Sequence, residues 1–220
     1  DIGKLAGKPV VAVITSMAQP LGTHIGNALE VKDAIDVLAG RTQGDLLEIS
    51  LLLGSHMLVL AEKVKTLPEA RAMLENALSS GAGLRKLAEM IAAQGGDPRV
   101  VEDLSLLPQA AVKRVMRAET AGYLSAMDTT ALGMAAQRMG AGRAKKSDML
   151  DYSVGYVLHV RLGDEVTEDT PLATLYARNE AEAEEAEKAI RKALTIARKK
   201  PQAPKLWDAV VTAEGIIYNR

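Results

Sequence analysis

The stretch Pro9-Val-Val-Ala-Val-Ile-Thr15, running straight into Ser16-Met-Ala-Gln-Pro-Leu-Gly22, decides the reading of this chain. Residues 9–15 are a β-branched run without polar alternation, which predicts a strand buried on both faces, as in a parallel sheet covered by helices. The loop 16–22 leaves that strand at its C-terminal end. In open α/β sheets ligands gather there, so position alone makes the loop a candidate site. An amphipathic helix from about Ile25 to Ala39 follows, with Ala28, Leu29, Val31, Ile35 and Leu38 on its apolar side and Gly40 as its stop. A single buried strand would lack neighbours on both edges. The pattern therefore predicts that the rest of its sheet comes from before Asp1 or from another chain.

Working outward, residues 45–61 read as a helix that is apolar nearly all round, which predicts burial at the centre of a domain. Two more helices are expected, one opening at Pro68 and ending near Ser80-Gly81, the other over about Leu84 to Gln94. The character changes near Pro108. Val112 to Met116 and Gly122 to Ser125 read as short strands, and Asp128 as the N-cap of a helix over Thr129 to Met139. Residues 152–161 alternate in polarity, Leu162-Gly-Asp164 turns the chain, and Pro171 to Tyr176 returns. A helix is expected from about Asn179 to Arg198, acidic at its start and basic at its end as the helix dipole favours. Lys205 to Val211 reads as a last strand. The fold class expected is α/β plus α+β: a truncated, helix-covered α/β domain over 1–107, then an α+β domain over 108–220. The segment Val154-Gly-Tyr-Val-Leu158, with Leu162-Gly-Asp-Glu-Val166 and Pro171-Leu-Ala173, resembles the small barrel-sandwich of biotinyl and lipoyl carrier domains. Such carriers present a modifiable lysine at a hairpin tip, and residues 152–176 contain none. A non-catalytic binding or carrier module is the alternative reading.

Composition removes several function classes. Of 220 residues, 27 are basic and 28 acidic, and there is no Phe and only one Trp. A basic stripe with stacking aromatics, the footprint of a nucleic-acid binder, is missing. The absence of cysteine excludes disulfides, thiolate nucleophiles and zinc–thiolate sites. The longest apolar stretch, Leu46 to Leu60, is interrupted by Glu48, Ser50, Ser55 and His56, too short and too polar for a bilayer. These features predict a soluble, cytoplasmic protein with no membrane partner.

Few residues carry chemistry by themselves. His24, His56 and His159 are not spaced for a metal on one helix face. His56 reads as a hydrogen-bonded core residue and His159 as lying on an exposed strand face. Met57, Met73, Met90 and Met134 read as core filler. Gly140-Ala-Gly-Arg143 has the composition of an anion nest, but a helix stop followed by a loop is the preferred reading. No Gly-x-Ser-x-Gly elbow occurs, so nucleophilic catalysis has no support.

The segment Thr15-Ser-Met-Ala-Gln-Pro-Leu-Gly22 with Asn27-Ala-Leu-Glu-Val31 resembles the pyrimidine-nucleoside phosphorylase and thymidine phosphorylase family. The resemblance continues, in family order, at Asp128-Thr-Thr-Ala-Leu-Gly-Met134, Met139-Gly-Ala-Gly-Arg143, Asp151-Tyr-Ser-Val-Gly155 and Arg161-Leu-Gly-Asp164. It implies a pentosyltransferase that splits thymidine or uridine with inorganic phosphate as co-substrate and needs no organic cofactor. It also implies that this chain is the C-terminal portion of such an enzyme, a homodimer in the family, and is inactive alone. The family's phosphate cradle and its base-holding Arg, Ser and Lys have no counterpart here, so no catalytic residue is assigned. Thr15, Ser16 and Met17 are expected to wall the base pocket. A bound cation is expected at the carbonyls of Leu21 and His24 and the carboxylate of Asp33, with Asp33 standing where the family often has Glu. Taken alone, Asp33 also reads as a solvated helix carboxylate.

Overall fold

The computed structural model describes residues 2–219. After a short helix α1 (Ile2–Leu5), strand β1 (Ala12–Thr15) leads through the loop 16–22 to the two-residue strand β2 (His24–Ile25). Four helices follow: α2 (Asn27–Leu38), α3 (Asp45–Leu60), α4 (Leu67–Ser79) and α5 (Ala82–Ala93). Two 3-10 turns, Pro98–Val101 and Leu104–Leu106, pass to β3 (Val112–Arg117), β4 (Gly122–Met127) and α6 (Thr129–Ala136). The remaining elements are β5 (Gly155–Leu158), β6 (Glu165–Val166), β7 (Pro171–Ala177), α7 (Glu180–Ala193), β8 (Leu194–Ala197), β9 (Trp207–Val211) and β10 (Ile216–Tyr218).

The strands form three sheets among the described residues, in the orders β2-β5-β7-β3, β6-β4-β8 and β1-β9-β10. Every pairing is antiparallel. This corrects the expectation of a helix-covered parallel sheet. The run 9–15 does form a strand, but β1 pairs antiparallel with β9, from near the other end of the chain, and its residues are exposed or half-buried. Ile14 is 48% exposed. An antiparallel ribbon tolerates one wet face, and apolar composition alone does not distinguish it from a doubly covered strand.

The main core lies where β5, β7, β3 and β4 meet α6 and α7. Met116, Leu124, Leu132, Tyr156, Leu158, Leu175 and Ile190 are all fully buried there. Polar caps fix the helices that close it. The Asp128 carboxylate accepts the Ala131 amide at 2.9 Å, as its N-cap reading predicts, and Asn179 caps α7 through the Glu182 amide. Two smaller cores join the helices. Ile35 packs with Val100 and Val101, and Val37 with Leu47 and Leu51. At the start of α4, Thr66 and Glu69 form a reciprocal capping box just ahead of Pro68.

Three helical expectations change. Helix α3 is not buried at a centre: it rests on α4 and Val37 along one side, while Leu53, Met57 and Leu60 are exposed on the other. Met57, Met73, Met90 and Met134 are likewise exposed, and the buried methionines are Met116, Met127 and Met139. Helix α7 stops at Ala193, five residues short of the expected Arg198, because Leu194–Ala197 pairs with β4 instead. Tertiary pairing of the β-branched Thr195 and Ile196 overrides the basic residues that suggested a later helix end. Among the described residues, no helix is long and apolar enough to cross a membrane.

Candidate functional site

The loop 16–22 is held at its entrance by the register of β1 on β9. Thr15 faces Trp207, and the Ser16 amide donates to the Leu206 carbonyl at 3.1 Å. Beyond this point the loop has no regular partner strand. The Ser16 hydroxyl accepts the Ala18 amide at 3.2 Å, and the Met17 carbonyl accepts the Thr129 hydroxyl at the start of α6 at 3.3 Å. The Met17 side chain is 82% exposed. A mostly apolar cavity of about 320 Å³ lies between loop and core, lined by Ser16, Met17 and Pro20 on one side and Ile25, Thr129 and Tyr156 on the other. A second cavity, of about 230 Å³, lies on the loop's opposite side and includes Asp45, Arg161 and Lys205 in its lining. Ser16 and Met17 therefore border the larger cavity, whereas exposed Thr15 does not line it.

Tyr156 forms the floor of that cavity. It is fully buried, and its hydroxyl donates to the Leu132 carbonyl of α6 at 2.8 Å. Burial pushes its phenol pKa well above the usual tyrosine value. It acts as a wall with a satisfied polar tip rather than as an acid or base.

At the far end of the loop, β2 and α2 bring His24 and Asp33 together, with Leu21 just before them in the chain. Asp33 is only 4% exposed, which overturns its reading as a solvated helix carboxylate. The carboxylate accepts the Thr23 amide at 3.3 Å and approaches the His24 Nδ1 at 3.4 Å. Nδ1 also meets the Thr23 hydroxyl at 3.0 Å. Desolvation keeps the His24 pKa below the ordinary histidine value despite the opposing charge of Asp33. His24 is thus neutral near pH 7, and among the described residues Asp33 has no lysine or arginine within ion-pair range. One turn on, Asp36 differs. Burial raises its pKa, but hydrogen bonds from Lys32 and Arg41 outweigh that and hold it below the usual carboxylate value. A buried carboxylate without a permanent cation has the chemistry to attract a hard cation. The Leu21 carbonyl faces Arg161 at 3.4 Å and retains a lone pair.

The remaining candidates separate from this site. His56 was expected to be hydrogen-bonded in a core, but among the described residues its buried Nε2 has no partner. His159 is exposed, as its alternation suggested, but lies one residue past β5, and it meets the Thr174 hydroxyl at 2.7 Å. The nest-like Gly140–Arg143 segment runs into a turn closed by the Asp148 side chain. The amides that follow it, Ala144 and Lys145, already donate to the Asp148 carboxylate at 3.1 and 2.8 Å.

Residue-by-residue reading missed the polar hub beneath the loop, formed by Gln19, Asp45 and Arg161. Arg161 stands in the quoted motif 161–164, but nothing in the sequence shows that its side chain reaches back across more than a hundred residues to Pro20.

Comparison with known proteins identifies relatives of this chain. Residues 123–197 match the model of the pyrimidine nucleoside phosphorylase C-terminal domain. The chain is 48% identical over 180 residues to the pyrimidine-nucleoside phosphorylase of Geobacillus stearothermophilus, an alignment covering 82% of this chain and 42% of that protein. It is 49% identical over 179 residues to the one from Bacillus subtilis strain 168, covering 81% and 41% respectively. With the Staphylococcus aureus strain USA300 protein of the same name, identity is 42% over 196 residues, covering 89% and 45%. The chain spans less than half the length of these relatives, and belongs to the pyrimidine-nucleoside phosphorylase family.

Proposed function

We propose that this chain forms the C-terminal portion of a pyrimidine-nucleoside phosphorylase and contributes the wall of its base pocket rather than its catalytic groups. The supporting observation is the identity of 42–49% across 81–89% of the chain to proteins of that name. In the proposed reaction a phosphate oxygen attacks C1 of the pentose, the bond from C1 to the base nitrogen breaks, and the base leaves with the electron pair. A (deoxy)ribose 1-phosphate and a free base result. Thymidine and uridine are the proposed substrates.

Within that reaction the residues of this chain position and exclude. Ser16 and Met17, above the cavity floored by Tyr156, would shape one side of the base pocket and keep water from it, with Thr15 anchoring the loop to β9. Asp33 and the carbonyls of Leu21 and His24 would hold a cation, which neutralises the buried carboxylate and stiffens the far end of the loop. The residues divide at about 107 in this reading. The segment 1–107 is a portion of the domain that holds phosphate, and 108–220 a C-terminal domain that closes over substrate. The cytoplasm is the proposed compartment.

Phosphate-dependent release of uracil and thymine tests the proposal, first with the chain alone and then with the purified chain mixed with the N-terminal half of a relative. Activity only in the mixture is expected. Turnover by the chain alone would overturn the assignment of the catalytic groups to other polypeptide. Silence from a demonstrably assembled mixture would overturn the enzymatic reading.

A further inference from the structure

Arg161, in the motif Arg161-Leu-Gly-Asp164, does not line the larger cavity, yet it reaches the loop more extensively than any other side chain. We propose that Arg161 is the positioning residue of loop 16–22: one guanidinium holds the loop by its backbone carbonyls and couples it to the C-terminal sheets. The proposal rests on reading that loop as a pocket wall.

The loop needs such a tether. It is a thin partition, with cavities of about 320 and 230 Å³ on its two sides, and Ser16, Gln19, Pro20 and Leu21 line both. Empty space on either side offers little packing resistance to displacement. The loop's own ties cluster at its beginning, where Ser16 and Met17 meet Leu206 and Thr129. From Pro20 to Gly22 the ties run through Arg161. Its Nη1 donates to the Pro20 carbonyl at 2.7 Å and approaches that of Gly22 at 3.4 Å, while Nη2 approaches that of Leu21 at 3.4 Å. Nη2 also donates to Asp45 Oδ2, at the first turn of α3, at 2.5 Å. The same Asp45 oxygen accepts from Gln19 Nε2 at 3.2 Å, and Gln19 Oε1 accepts the Leu162 backbone amide at 2.9 Å. Loop, α3 and the 161–164 turn are thereby closed into one ring of hydrogen bonds.

The rest of the motif explains why the arginine points there. The Asp164 carboxylate accepts the Arg161 amide at 2.7 Å, and Gly163 takes a φ of 91° that only glycine adopts without strain. Between them they fix the turn from which Arg161 extends. A guanidinium suits the task because its planar fork presents several donors to acceptors spread over three residues, whereas a lysine ammonium is a single point charge. The arginine's own contacts to the loop are all to backbone carbonyls, and Gln19 is the loop side chain that completes the ring.

Hydrogen exchange of the purified chain tests this, comparing wild type with Arg161→Gln, Arg161→Lys and the control Arg114→Gln. Arg114 pairs with Glu180 and Glu187 and does not touch the loop. The Arg161→Gln and Arg161→Lys variants are expected to speed exchange of the Ala18 and Thr23 amides, the hydrogen-bonded ones flanking the clamped carbonyls, by about tenfold, with the control unchanged, since local opening is governed by local ties. Guanidinium ion at tens of millimolar is expected to restore protection to Arg161→Ala, and an equal concentration of potassium is not. Should the Arg161 variants fail to fold, Asp45→Asn weakens the same ring from α3 and is expected to give about threefold faster exchange at the same amides. Unchanged loop exchange in the folded variants, full protection in Arg161→Lys, or an equal increase in Arg114→Gln would overturn the proposal. In the assembled mixture with the relative's half, Arg161→Lys is expected to raise KM for nucleoside more than it lowers kcat. If that mixture is inactive even for wild type, the pocket reading falls, while the exchange result still decides whether Arg161 holds the loop.

Discussion

Gly22 stands where any side chain would collide with the carboxylate it helps to seat. A Cβ built on it would lie 2.5 Å from Asp33 Oδ2. Gly22→Ala is therefore expected to push Asp33 off the Thr23 amide and to destabilise the chain by about 1–3 kcal/mol, the usual cost of overpacking a filled site. Thermal unfolding measures it, and an unchanged Tm would show that the carboxylate is free to move. His56 carries a different prediction. Desolvation lowers its pKa from the ordinary histidine value of 6.5, so just below that value the unfolded state binds more protons than the folded one. Stability is then complete above pH 6.5 and falls as the pH drops through 6.5 toward the folded-state pKa. Desolvation lowers the values for His24 and His159 as well, so the three act in the same sense. Urea midpoints between pH 8 and pH 5 are expected to decline toward acid. His56→Leu should make that decline shallower, and an identical slope in the variant would refute the assignment.

Between elements, the approach of β2 to β5 depends on two facing glycines. A Cβ on Gly155 would lie 2.1 Å from the Ile25 carbonyl, and one on Gly26 would lie 2.4 Å from that of Val154. Both also have positive φ, 149° and 134°. Gly155→Ala is expected to cost at least about 1–3 kcal/mol from backbone strain alone. Gly133→Ala, in mid-helix with nothing within 4 Å of the added methyl, should be neutral or gain about 0.5–1 kcal/mol. Equal Tm values for the two variants would contradict the close approach. Most elements were legible as elements: the starts and ends of α2, α4 and α5 fall within about two residues of their apolar periods and glycine stops. Sequence signals failed where distant partners decide. The two residues of β2 are a strand only because Val157 and Tyr156 lie opposite them, and β8 ends α7 early because β4 offers an open edge. Likewise, an all-apolar α3 announces that it packs but not how many neighbours reach it. In the site, Asp33 looked like one more helix carboxylate. Its burial comes from β2 and the loop folding over it, which no local pattern encodes.

At the scale of the whole molecule, the loop is anchored to its least protected sheet. The ribbon β1-β9-β10 joins residues 12–15 to residues 207–218, so its formation closes nearly the entire chain into a loop. It buries little in return: Ile14, Ile216, Ile217 and Tyr218 are all about half exposed or more, whereas Tyr156, Leu175 and Met116 in the central sheet are fully buried. Segments with few buried apolar contacts open at lower free energy than the global transition. The ribbon is therefore expected to open first, releasing the Ser16 amide and the entrance of the loop while the core around Tyr156 stays folded. The chain carries its own reporter, because its only tryptophan, Trp207, lies in β9 opposite Thr15. In a urea titration, Trp207 emission should change at a lower midpoint than the far-ultraviolet circular dichroism of the helices. Native-state exchange should show the amides of 12–15 and 207–211 opening together, ahead of those in β5 and β7. Coincident midpoints, with β1 amides protected to the global level, would mean that the ribbon and the core form one cooperative unit. The loop's entrance would then be as rigid as the core, and Arg161 would hold only its far end.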